Sequence, residues 1–236
     1  MRFILLSLFT LSLLSCKQDN WELMTRVFSY GNQGEHERAI RLLDRIIVNL
    51  DNEIENEGRS PSMWLLYEEA HMVRGIFSLN LGDTIQARKD YDYVISLRKQ
   101  RDVRPNPLVH FHRARLLTIL GEYELAYLDI MESYNHTFAN FNMPEIIVPW
   151  ALSRTIPLRI IRSQRAMIYL GLDSLDNALD DINFTLTFDF EQEIAFYRRG
   201  KIHLRQGDTI SACADWHKAT DLGLSSARVM IEIYCE

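Results

Sequence analysis

Hydrophobic and polar positions alternate along this chain in a pattern that recurs five times. An amphipathic run ends at a glycine, an acidic or turn residue follows, and an alanine opens a second amphipathic run. The pairs are Gly34 with Ala39, Gly82 with Ala87, Gly121 with Ala126, Gly171 with Ala178 and Gly207 with Ala212. Four share one spacing, and the Gly171 pair reads as carrying two extra turn residues. A large residue stands four positions after each alanine: Leu43, Tyr91, Ile130, Ile182 and Trp216. Four positions along a helix is one turn on the same face, so these side chains pack on the preceding helix. Small residues at Gly75, Ala114 and Gly200, seven positions before a turn glycine, let the paired helices approach. Glycine ends the first helix because it enters the left-handed region without a Cβ penalty. Ser60-Pro61 and Asn106-Pro107 have the form of an N-cap followed by a first-turn proline. No alternating strand run with an Asn-Gly or Asp-Gly turn is present. The pattern predicts an all-α chain.

The first residues read as an address. Met1 and Arg2 precede an apolar and hydroxyl run, Phe3–Leu14, closed by Ser15, Cys16 and Lys17. A bilayer-spanning helix needs about 20 residues, so the run fits a signal peptide better than a permanent anchor. Leu13-Leu14-Ser15-Cys16 resembles a bacterial lipobox, which implies cleavage before Cys16 and diacylation of its thiol. The expected organisation is a signal peptide over 1–15, a lipid-anchored tether over 16–19 and a helical repeat domain over 20–236. The expected location is a bacterial membrane, on the periplasmic or outer-membrane side. An oxidising compartment of that kind permits disulfides.

Two stretches carry a second resemblance. They are Phe196-Tyr-Arg-Arg-Gly200 through Gly207-Asp-Thr-Ile-Ser-Ala212 to Trp216 and Ala219, and Arg74-Gly75 through Gly82-Asp-Thr-Ile-Gln-Ala87 to Tyr91. Both are similar to the tetratricopeptide repeat (TPR). The resemblance implies an α-solenoid of about five helix–turn–helix repeats with a C-terminal capping helix near Ser225–Tyr234. Turn glycines recur at intervals of 48, 39, 50 and 36 residues, against about 34 in the family. Part of the excess falls in an irregular insert at about 137–156, which contains Trp150.

A net charge of −6, from 26 basic and 32 acidic residues, argues against nucleic acid as a partner. No HExxH, phosphate loop or nucleophile elbow occurs, and no histidine pair has the i, i+4 spacing of metal ligands. The expectation is a non-catalytic protein with no cofactor and no metal. Cys213 and Cys235 lie ten before and twelve after Gly223. If the helices turn there they reach the same height, either as a disulfide or as two buried thiols.

In the TPR family the first helices line a concave face that holds peptides, and the residue after the small position points into it. Taking Ala114, Gln164 and Gly200 as small positions, the resemblance puts Arg115, Arg165 and Lys201 in the groove. Tyr169 and Arg205 stand one turn further on, and His112, Arg162 and Arg198 flank the row. The second helices carry Asp90, Asp129, Asp181 and Asp215 with other acids, as an acidic outer wall. The family's carboxylate clamp is incomplete here, so that activity is not carried over. The expectation is a lipid-anchored scaffold holding an anionic peptide or protein in a basic groove. Trp150 is a candidate partner contact on the insert. The alternatives are a small-ligand or glycan-binding lipoprotein using that insert, or a toxin-blocking immunity protein using the acidic wall.

Overall fold

A computed structural model describes residues 20–57, 60–136, 156–189 and 191–235. The signal peptide, Cys16, Trp150 and all but the end of the 137–156 insert lie outside them. The described residues form eleven helices and no strand. None of these helices is long and apolar enough to cross a membrane. The chain divides into two compact units, Met1–Val103 and Arg104–Glu236.

Unit 1 contains α1 (20–32), α2 (His36–Glu57), α3 (Pro61–Asn80) and α4 (Thr84–Gln100). Ser60 caps α3 by accepting the Met63 N–H, with Pro61 in the first turn. Leu43, Ile46 and Leu50 of α2 share a buried core with Leu66, Ala70 and Val73 of α3. Gly75 is small because the Tyr91 ring lies against it. A Cβ there would fall 2.6 Å from the Tyr91 Cε1 atom, inside van der Waals contact.

Unit 2 contains α5 (Pro107–Leu120), α6 (Tyr123–His136), α7 (Leu158–Gly171), α8 (Leu175–Thr185), α9 (Gln192–Arg205), α10 (Thr209–Asp221) and α11 (Ala227–Tyr234). Each helix packs on the next. In addition α5 touches α7 and α7 touches α9, so the first helices of three repeats share one face. Asn106 caps α5 by accepting the Leu108 N–H. Trp216 is fully buried beside Gly200, and its indole N–H donates to the Tyr197 carbonyl at 3.2 Å.

The fourth turn differs from its expected form. Gly171 is the last residue of α7, and the left-handed residue is Asp173, with φ 58°. Asp173 stands five residues before Ala178, as the other turn glycines stand before their alanines, so the two extra residues do not exist. It also lies 34 residues before Gly207, the family's own period. Gly171 has a different reason to be small: the Tyr123 ring occupies the space of its Cβ. A disulfide joins Cys213 of α10 to Cys235 at the end of α11, with Cα atoms 5.6 Å apart.

Candidate binding groove

Four arginines precede the small residues of first helices: Arg74, Arg113, Arg165 and Arg199. Sixteen residues after each comes an aspartate on the partner second helix. Each guanidinium holds its aspartate with two hydrogen bonds through Nε and Nη2. The distances are 3.0 and 2.7 Å for Arg74–Asp90, 2.6 and 2.8 Å for Arg113–Asp129, 2.6 and 2.9 Å for Arg165–Asp181, and 2.8 and 2.7 Å for Arg199–Asp215. His71 and His110 add a further contact to Asp90 and Asp129, at 2.9 and 2.8 Å. Arg162 adds one to Asp181 at 2.6 Å. All four aspartates are buried. A buried carboxylate must be paired, and the fork geometry of arginine suits it. Burial pushes the carboxyls of Asp90 and Asp129 up, but the hydrogen bonds from histidine and arginine prevail and hold both below the usual range. The expected acidic outer wall is therefore corrected at four positions, while Asp92, Glu124 and Asp180 are exposed. Asp90, Asp129, Asp181 and Asp215 form an internal seam between paired helices.

The same seam settles the register of α7. Ala166 is its fully buried small residue, and Gln164 instead donates to the Thr118 hydroxyl at 3.1 Å. Arg165 thus takes the seam position rather than the groove position, and Arg162 joins it there. Arg162 also lies over the Phe184 ring, 4.0 Å from its centroid. Arg205 pairs with Asp173 at 2.9 Å, with both side chains exposed. The Lys201 ammonium stands 5.8 Å from the Tyr197 ring centroid. Tyr169 packs beside Tyr127, and burial together with a hydrogen bond to Tyr127 raises its phenol pKa.

Arg115, Arg198 and His112 remain. Arg198 Nη1 donates to Ser163 Oγ at 2.6 Å, linking α9 to α7. Burial and the charge of Arg115 lower the Arg198 pKa to about 10, and Glu191 does not offset them. Burial and Arg115 likewise lower the His112 pKa to about 3, so its imidazole is neutral. Among the described residues no carboxylate forms an ion pair with Arg115 or Arg198. Arg198 of α9 thus holds a hydroxyl of α7 while the charge of Arg115 on α5 acts on it. Guanidinium forks fit carboxylate or phosphate oxygens. Ser163 is not apparent from sequence, because nothing in the repeat pattern marks its position. No group of three or more metal-ligating side chains occurs among the described residues.

No protein-family model matches the chain, and no curated protein matches it in sequence. Solved structures do. A thermophilic TPR protein of Thermus thermophilus superposes with a TM-score of 0.61 at 14% identity, over 92% of this chain and 98% of that one. MamA of Desulfovibrio magneticus gives 0.57 at 17%, over 86% and 94%. YrrB, described as a TPR protein with an unusual peptide-binding site, gives 0.55 at 16%, over 95% and 97%. The chain has the all-α tetratricopeptide-repeat fold.

Proposed function

We propose that this protein is a non-catalytic binding scaffold that holds an acidic peptide or protein segment on the face shared by α5, α7 and α9. The observation that carries the reading is the contrast among its arginines. Those of the seam are saturated by aspartate, whereas Arg115 and Arg198 form no ion pair among the described residues and Glu191 does not offset the charge beside Arg198. An incoming carboxylate supplies the missing charge and relieves their mutual repulsion. The peptide-binding site named for YrrB is an analogy of fold only. The test is fluorescence anisotropy with an oligoglutamate peptide. Wild-type protein binds it in a salt-sensitive way. An Arg115→Gln, Arg198→Gln variant with unchanged circular dichroism binds at least about tenfold more weakly. Equal binding by that variant sinks the reading.

We further propose that the chain is exported and anchored through Cys16. The lipobox-like Leu13-Leu14-Ser15-Cys16 supports this, and so does a disulfide, which persists in an oxidising compartment. Cys16→Ser moves the protein from the membrane fraction to the soluble fraction. Retention in the membrane fraction contradicts the anchor.

A further inference from the structure

The outer face of α11 carries an exposed apolar strip. Here Ala227 is buried, and Met230 and Ile231 pack inward against the cluster around Trp216. Val229 and Ile233 point away and are 54% and 60% exposed. They are four residues apart and make one apolar strip. Ile210, 87% exposed, lies three residues before Cys213 and adds apolar surface at the end where the disulfide ties α11 to α10.

Arg228 and Glu232 flank that strip on one side, each one residue before an apolar member. Both are exposed, and among the described residues neither belongs to an ion pair. The flank therefore carries a positive charge one turn before a negative one. This arrangement is complementary to itself reversed. When two copies of a helix pack antiparallel about a two-fold axis, a flank meets the same flank of its partner in the opposite direction. Arg228 then faces Glu232 of the second copy, Glu232 faces its Arg228, and Val229 lies against Ile233.

We propose that the outer face of α11 is a homodimer interface, formed by antiparallel pairing of α11 with α11 of a second copy. The occupant is a second copy because the charge pattern is satisfied by its own reversal. The proposal does not depend on the groove reading, since it uses no residue of α5, α7 or α9.

The test is multi-angle light scattering of the purified full-length chain over a concentration series. Wild type shows a monomer–dimer equilibrium. Arg228→Glu and Glu232→Arg each place like charges at both contacts and weaken self-association at least about tenfold. Mixing the two variants restores dimers, because the acid introduced at position 228 of one chain then meets the base introduced at position 232 of the other. The double exchange, Arg228→Glu with Glu232→Arg, also dimerises as wild type does. Every substitution alters an exposed side chain, and circular dichroism checks that the helices persist. A wild type that stays monomeric at every concentration overturns the proposal. So does a dimer that neither single reversal weakens, or single variants that fail to recover on mixing.

Discussion

In unit 2 five arginines of α5, α7 and α9 fall into two groups that differ by one or two positions of register. Arg113, Arg165 and Arg199 stand immediately before the small residue of their helix and turn toward the partner helix, where an aspartate waits. Arg115 stands one position after its small residue and Arg198 two positions before. Arg198 reaches across to α7 on the face shared by first helices, and neither it nor Arg115 forms an ion pair with a described carboxylate. The residue type is the same and the roles are opposite. In the seam, arginine neutralises a buried acid and joins two helices. On the shared face it meets another cation. A row of arginines in a helical repeat therefore says little until each is placed relative to the helix–helix contact.

Two substitutions probe that difference, the larger effect first. Asp181→Ala leaves Arg162 and Arg165 without their shared carboxylate, and both side chains are less than a quarter exposed. Removing one partner of a buried pair costs about 3 to 5 kcal/mol, and thermal denaturation reads it as a lower melting temperature. A shift near zero would mean that the seam is ornamental. Arg115→Gln removes a charge that repels Arg198 and lowers the pKa values of Arg198 and His112. Its effect on stability is within about 0.5 kcal/mol of zero. A loss comparable with that of Asp181→Ala would put Arg115 in the seam class and erase the distinction.

Much of the fold is legible in the sequence because its signals are local. The caps at Ser60 and Asn106 and the closely packed positions Gly75 and Gly200 follow from backbone conformation and helix spacing. Gly171 misleads because a glycine at a helix end suggests the left-handed turn residue, while it is small to admit the ring of Tyr123. Asp173 takes the left-handed conformation instead, which aspartate tolerates better than most residues. The seam shows in the sequence as a sixteen-residue interval between arginine and aspartate. Amphipathic pattern alone hides it, because a polar residue on a second helix can face water or a partner helix equally well. The contact of Arg198 with Ser163 joins side chains 35 positions apart, and no local rule reaches that far.

The disulfide between Cys213 and Cys235 has a mechanical consequence. A stack of helix pairs loses structure by peeling from an end, where the last helix has only one neighbour to leave. Among the described helices α11 packs on α10, and a bond 22 residues across keeps it tethered there after its contacts open. The released segment is a closed ring with little room to wander, so it returns quickly to its seat. A protease or pulling force that acts on α11 meets this ring first.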